Sequence, residues 1–131
     1  VRNPYDRLYS TYINLKYDGH DWATHLKKKS TFREFVLDFK QSEYCNYIHL
    51  QPQSSYIKCD ENIAVDFLGK YEVLNEHFKI VENILKLPNK KLIKLRSASV
   101  VPEEPKFYDE EMKQIVRDIY KEDFERFGYV K

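Results

Sequence analysis

The chain of 131 residues is 42% hydrophobic and 15% aromatic, which supports one globular domain whose core buries roughly two-thirds of the unfolded surface. Its 22 basic and 21 acidic residues leave a net charge of +1, so no overall field favours nucleic acid or a membrane surface, and any anion site must be local. No stretch approaches the ~20 apolar residues of a membrane span.

The beginning of the chain predicts a helix with a well-specified N-terminus. Asn3 is a good N-cap, and Pro4 suits the first helical position because its missing N–H costs nothing there. Asp6 lies at the third position, where a carboxylate can reach back to the cap. The apolar face comprises Tyr5, Leu8, Tyr9, Tyr12 and Ile13. The helix should fade around residues 15–17, before an Asp-Gly pair.

Arg2 stands just before this helix, and Ser10 follows about two turns later. The guanidinium of Arg2 and the free N–H groups of the first turn could therefore converge on one phosphate or sulfate, with the Ser10 hydroxyl nearby. The competing interpretation is structural: Arg2 could pair with Asp6 or with an acid near the C-terminus, and Ser10 could be solvated. Arg2 and Ser10 are thus the first candidate site residues.

A second helix is predicted from a capping box, in which the side chains of Thr31 and Glu34 each accept the backbone N–H of the other. Its buried face comprises Phe32, Phe35, Val36 and Phe39. It should end near Gln41. From residue 42 to residue 62 the pattern has no period, which indicates a long irregular segment of the kind that is often functional. Residues 63–67 then predict a short buried strand.

Two more helices are predicted downstream. Asn75 should cap the third helix, which Pro88 stops, and Asp109 should open the longest helix, which ends before Gly128. The expected inward residues are Phe78, Val81, Ile84 and Leu85 in the third helix and Met112, Ile115, Val116, Ile119 and Tyr120 in the fourth. Between these helices lies a basic segment that runs from Lys90 to Arg96.

The two cysteines, Cys45 and Cys59, are compatible with a disulfide or with two separate thiols. A metal site built from them and His49 would need a fourth ligand at a recognisable spacing. No such ligand is present, so no metal is predicted.

Four sequence blocks follow one another along the chain: RNPYDRLYSTY at 2–12, HLQPQ at 49–53, DFLGKYEVL at 66–74 and YKEDFERFGY at 120–129. Arg2 and Ser10 have the spacing of the motif with which sulfotransferases bind the 3′-phosphate of 3′-phosphoadenylyl sulfate (PAPS). Together the blocks resemble the branch that sulfates carbohydrates, the Golgi enzymes acting on chondroitin, dermatan and heparan and their bacterial relatives. Leu50 replaces the aromatic residue of that family's HWxPQ segment.

The resemblance implies transfer of a sulfuryl group from PAPS to a carbohydrate hydroxyl, with Arg2 and Ser10 holding the 3′-phosphate of the donor. Further candidates for cofactor binding are Lys94, Arg96 and Ser97. Their basic segment would close over the nucleotide or meet an anionic glycan. His49 would face the acceptor, because in related enzymes its loop lies beside the strand that ends at Tyr71.

The resemblance also implies an α/β fold: the C-terminal part of a P-loop-like sulfotransferase domain, mostly helical, with about four main helices and two or three short strands. The family's phosphate loop lies upstream of the RNP strand, and this chain contains no GxxxxGK[ST] segment. Residues 1–131 are therefore interpreted as one partial domain, inactive alone. Strands at Val1 and over residues 63–71 should be sheet neighbours, and their open edge favours a dimer or docking of the missing half.

Two other function classes remain open at this point. The chain could bind adenosine 3′,5′-bisphosphate or an anionic glycan without transfer, or it could be a helical interaction domain. The resemblance implies the Golgi lumen for a eukaryotic member and the cytoplasm for a bacterial one.

Overall fold

The computed structural model describes residues 1–17, 31–39, 47–60, 62–88, 92 and 106–130. Within these residues the chain is mostly helical, with one two-stranded sheet, as the α/β prediction required. The α-helices are α1 (Pro4–Tyr17), α2 (Phe32–Asp38), α3 (Ser54–Ile57), α4 (Leu74–Leu85), α5 (Glu110–Ile119) and α6 (Lys121–Phe127). Short 3₁₀ turns cover Ile48–Leu50 and Tyr71–Val73, and the strands are β1 (Lys58–Cys59) and β2 (Asn62–Ile63).

The predicted start of α1 is confirmed. Oδ1 of Asn3 accepts the N–H of Tyr5 at 2.9 Å, so Asn3 is the N-cap, and the helix ends at Tyr17. Asp6 does not reach back to the cap as its position suggested. Its carboxylate forms an ion pair with Lys106, and the N–H of Asn3 is taken by Glu72, so a distant segment replaces the local bond.

The capping box of α2 forms as predicted. The N–H of Glu34 donates to Oγ1 of Thr31 at 3.1 Å, and the N–H of Thr31 donates to Oε2 of Glu34 at 3.2 Å. The four expected inward residues, Phe32, Phe35, Val36 and Phe39, are all buried. The local signal therefore set both the start and the inward face of this helix.

The fourth predicted helix is correct at both ends but is interrupted inside. Oδ1 of Asp109 accepts the N–H of Met112 at 2.8 Å, and Gly128 ends the segment in the left-handed conformation at φ 64°. The expectation of one longest helix is wrong, because the chain leaves helical geometry at Tyr120 and α1 is longer than either half. No proline or glycine marks that break. Instead the buried Tyr120 hydroxyl donates to the carbonyl of Leu50, a contact that periodicity does not reveal.

One apolar core joins α1, α2, α5 and α6. Its buried members are Leu8, Tyr12, Ile13, Leu15, Phe32, Phe35, Val36, Phe39, Leu50, Met112, Val116, Tyr120 and Phe124. Aromatic rings make much of the contact, with centroids 5.2 Å apart for Tyr12 and Phe35 and 5.1 Å apart for Tyr12 and Phe32. Most aromatic side chains of the described residues therefore lie in this core or pack against it.

The predicted buried strand over residues 63–67 is wrong. Strand β2 stops at Ile63 and pairs antiparallel with β1, and Asp60, which follows β1, has φ 54°. Val65 and Phe67 are exposed. An apolar run resembles a buried strand in sequence, but it does not specify a hydrogen-bonding partner.

The prediction for the third helix is partly wrong. A 3₁₀ turn precedes α4, its N-cap is Val73 rather than Asn75, and Val73 makes no capping side-chain bond. The helix stops before Pro88, as expected. Of the predicted inward stripe, Ile84 and Leu85 are 64% and 60% exposed. Periodicity identifies the residues that share a face, whereas burial depends on what packs against that face.

No helix in the described ranges is both long enough and apolar enough to span a bilayer.

Candidate functional site

The backbone around Arg2 is bonded on one side to another stretch of backbone and on the other side to a side chain. On one side, the nitrogen of Val1 donates to the carbonyl of Gly69 at 2.6 Å, and the N–H of Tyr71 donates to the carbonyl of Val1 at 2.8 Å. This alternation is the bonding pattern of parallel strands, so the two predicted neighbours do meet, although neither is assigned as a strand here. The guanidinium of Arg2 lies 4.7 Å from the ring centre of Tyr71, within cation–π range.

On the other side, the side-chain amide of Gln53 bonds both backbone groups of Arg2. The N–H of Arg2 donates to Oε1 at 2.9 Å, and Nε2 donates to the carbonyl of Arg2 at 2.8 Å. We call this pair of bonds the Gln53 bridge. It occupies the hydrogen-bonding positions that a paired strand would use.

The carboxylate of Asp123, at the start of α6, binds the backbone of Gln53, the residue whose side chain forms the Gln53 bridge. It is fully buried and accepts the N–H of Gln53 and the N–H of Ser54, each at 2.8 Å. A bond to a charged acceptor contributes about 1.5–3 kcal/mol, and a buried carboxylate depends on such bonds. Asp123 therefore joins the irregular segment of the chain to α6.

The side chain of Glu72 accepts a hydrogen bond from the backbone at the N-terminus of α1. Its Oε1 accepts the N–H of Asn3 at 2.6 Å, and its Oε2 accepts the hydroxyl of Tyr129 at 2.9 Å. Burial alone would raise the pKa of Glu72. Three influences lower it by more: the two hydrogen bonds just described, a hydrogen bond from the backbone N–H of Glu72 itself, and the positive charge of Arg2. The pKa of Glu72 consequently lies below its ordinary value, and the carboxylate places negative charge at the positive end of α1.

These contacts correct the expected anion site at the first turn of α1. The N–H groups of Arg2, Asn3 and Tyr5 are bonded to side chains of the protein, and Pro4 has none. They cannot converge on a bound anion. The guanidinium of Arg2, in contrast, lies over the ring of Tyr71.

The structural alternative for Arg2 is not realised. Asp6 pairs with Lys106, and the guanidinium of Arg2 makes no ion pair with any carboxylate in the described part of the chain. Ser10 is exposed on α1, six residues after Pro4 and therefore about 9 Å further along the helix axis. The two predicted residues thus flank the first two turns of α1.

His49 lies in the 3₁₀ turn that packs against α1. Its carbonyl accepts Nη2 of Arg7 at 3.0 Å, and its side chain is exposed. The neighbouring carbonyl of Leu50 accepts the buried hydroxyl of Tyr120 at 2.7 Å. This turn therefore joins α1 to the junction of α5 and α6, while the predicted role of His49 toward an acceptor stays a prediction.

The remaining candidates have fewer observations. Lys94, Arg96, Ser97 and Cys45 lie outside the described residues. Cys59 is a free and exposed thiol at the end of β1. No group of three or more potential metal ligands occurs in the described ranges.

Sequence reasoning from residue types missed the three residues that organise Arg2, namely Gln53, Glu72 and Asp123. Each is polar and belongs to one of the four sequence blocks described above. In the structure those blocks meet around Arg2, through the bonds of Gln53, Asp123 and Glu72. The signal was therefore present as unexplained polar positions within the blocks.

The sequence matches the family model described as "Sulfotransferase family" over residues 1–130. No curated protein and no solved structure matches the chain. The family match extends over all the elements that surround Arg2. This chain belongs to the sulfotransferase family.

Proposed function

We propose that this chain provides the 3′-phosphate-binding part of a PAPS-dependent carbohydrate sulfotransferase site. Membership of the family supports sulfuryl transfer to a small-molecule acceptor. The more specific proposal, binding of the 3′-phosphate, rests on the environment of Arg2. Its backbone is fixed on both sides, and its guanidinium rests on Tyr71 without an ion pair among the described residues.

The residues present fit a phosphate group. A guanidinium presents a planar fork of donors that matches two phosphate oxygens, and its charge is permanent. Arg2 would bind the 3′-phosphate in this way, and the Ser10 hydroxyl would donate to it from α1. PAPS supplies the sulfuryl group that is transferred, so Arg2 and Ser10 act on the position of the nucleotide rather than on its reactivity.

The acceptor side of the site is proposed from the family resemblance. His49 would face the carbohydrate, and Lys94, Arg96 and Ser97 would contact the nucleotide or an anionic glycan. Because the sequence contains no glycine-rich phosphate loop, we expect the chain alone to bind the nucleotide but not to transfer the sulfuryl group.

Titration calorimetry with adenosine 3′,5′-bisphosphate tests the proposal. Wild type should bind it more tightly than adenosine 5′-phosphate, which lacks the 3′-phosphate. Arg2→Ala should weaken the bisphosphate about 10- to 100-fold, the worth of one or two hydrogen bonds to a charged group. Ser10→Ala should weaken it less, because a neutral hydroxyl donates a single bond.

Arg33→Ala is the matched control, since it removes one positive charge from an exposed arginine that pairs with Asp109 and Glu111. It should leave the affinity unchanged. Equal binding of the two nucleotides, or equal binding by wild type and Arg2→Ala, would refute the nucleotide assignment. Transfer of labelled sulfate from PAPS to a glycan by the chain alone would refute only the expectation of inactivity.

A further inference from the structure

We propose that Gln53 and Asp123 are positioning residues that orient Arg2 for the 3′-phosphate of the nucleotide. The inference rests on the proposed function and assigns a role to two residues that touch no ligand. The chain of contacts runs from the buried carboxylate of Asp123 to Gln53 and from Gln53 to the backbone of Arg2.

The first step is the fixed orientation of the Gln53 amide. Its Oε1 accepts from Arg2 and its Nε2 donates to Arg2, so exchanging the two ends of the amide would break both bonds. Nε2 also lies 3.4 Å from Oδ2 of Asp123, an acceptor that favours the NH₂ group on that side. Asp123 therefore helps to select the orientation in which the Gln53 bridge forms.

The second step is the position of the Gln53 backbone. Asp123 holds the consecutive N–H groups of Gln53 and Ser54 with its two carboxylate oxygens, each at 2.8 Å. The carboxylate is fully buried, so water does not compete for these bonds. The side chain of Gln53 consequently starts from a backbone that α6 holds in place.

The third step is the effect on Arg2. The Gln53 bridge fixes both peptide groups of Arg2, while the bonds of Val1 to Gly69 and Tyr71 fix the preceding residue. An arginine loses considerable side-chain entropy when it is ordered, and a fixed backbone reduces the cost of presenting it to a ligand. Loss of the Gln53 bridge should therefore reduce affinity for the 3′-phosphate selectively.

Gln53→Met is the decisive variant. It keeps the size of the side chain and the backbone N–H that donates to Asp123, but it removes the Gln53 bridge. Gln51→Met is the matched control, because Gln51 lies in the same segment and accepts from Tyr56 rather than contacting Arg2. Affinity for adenosine 3′,5′-bisphosphate should fall about tenfold in Gln53→Met, the worth of one net hydrogen bond, and remain unchanged in Gln51→Met.

Two further readouts separate positioning from general stability. Affinity for adenosine 5′-phosphate should not change in Gln53→Met, and the amide of Arg2 should exchange its hydrogen faster than in wild type. Asp123→Asn should show the same selective loss, because an amide offers only one acceptor for two N–H donors. If it does not fold, Gln53→Met still decides the question.

The outcomes are distinguishable from failure of the proposed function. If wild type discriminates the two nucleotides and Gln53→Met discriminates them equally well, the positioning role is wrong and the proposed function stands. Equal loss of both nucleotides in Gln53→Met would also contradict positioning. If wild type binds neither nucleotide, the proposed function fails and the positioning role fails with it.

Discussion

At the scale of residues, the surroundings of Arg2 depend on side chains that accept backbone N–H groups. Gln53 and Glu72 accept the N–H groups of Arg2 and Asn3, and Asp123 accepts that of Gln53. Each acceptor comes from a different part of the chain. As a result, the N–H groups of Arg2, Asn3 and Tyr5 are bonded within the protein, and the proposed anion binding rests on the side chains of Arg2 and Ser10.

Replacing Glu72 with Gln should make the free energy of unfolding depend less on pH under acidic conditions. Because the folded-state pKa of Glu72 lies below its ordinary value of 4.5, its contribution is complete above the unfolded-state pKa and disappears as the pH falls through the folded-state pKa. Wild type should exceed Glu72→Gln in urea midpoint at pH 7, and the difference should shrink toward pH 3.

Glu76→Gln is the control for that experiment, since Glu76 lies exposed in the first turn of α4. Its midpoint curve should run closer to that of wild type. Parallel curves for wild type and Glu72→Gln across the whole pH range would show that the carboxylate does not contribute through its hydrogen bonds.

At the scale of elements, the helix ends follow local sequence signals more closely than the helix faces do. The caps at Asn3, Thr31 and Asp109 and the stop at Gly128 all form as their residue types predict. Helix α4, by contrast, is amphipathic in sequence, but its apolar face is only half-buried at Phe78 and Val81 and is exposed at Ile84 and Leu85. Capping bonds are made within one turn of the chain, whereas burial needs a second element.

Thr31→Ala should destabilise the chain by about 1 kcal/mol, because it removes the side-chain acceptor for the N–H of Glu34 at the start of α2. The free energy of unfolding from urea denaturation measures this loss. Thr31→Ser retains the hydroxyl and should recover most of it. If the alanine and serine variants were equally stable, the capping bond would not contribute.

At the scale of the whole molecule, the described residues divide into a packed part and a loosely covered part. Helices α1, α2, α5 and α6 supply nearly all of the apolar core, whereas Glu82 is the only buried residue among the described residues of α4. Unfolding of α4 alone would expose little additional apolar surface. The two parts should therefore differ in local stability.

Hydrogen exchange of backbone amides checks this difference. Amides in the middle of α5 should exchange only with global unfolding, and those in the middle of α4 should exchange more than about tenfold faster after correction for intrinsic rates. The amides of α1, which contributes to the core, serve as an internal reference. Equal protection in α4 and α5 would mean that the chain unfolds as a single unit.

Part of the candidate site could be proposed from the sequence, and part of it could not. Spacing and resemblance proposed Arg2 and Ser10 as candidates, and the structure leaves the guanidinium of Arg2 without an ion pair in the described residues. The N–H groups of Asn3 and Tyr5 were expected to join it, but they are bonded within the protein. That error could not be avoided, because the competing acceptor Glu72 lies 69 residues from Asn3.

The sequence by itself determined the caps at Asn3, Thr31 and Asp109, the apolar faces of α1, α2 and α5 and the identity of the family. All of these depend on residue type and short spacing, since a cap, a periodic face or a motif is local. Only the tertiary structure decided the break at Tyr120, the exposure of α4 and the contacts of Gln53, Glu72 and Asp123 around Arg2. Each of these depends on which distant groups meet, and a hydrogen bond between remote segments leaves no periodic trace in either one.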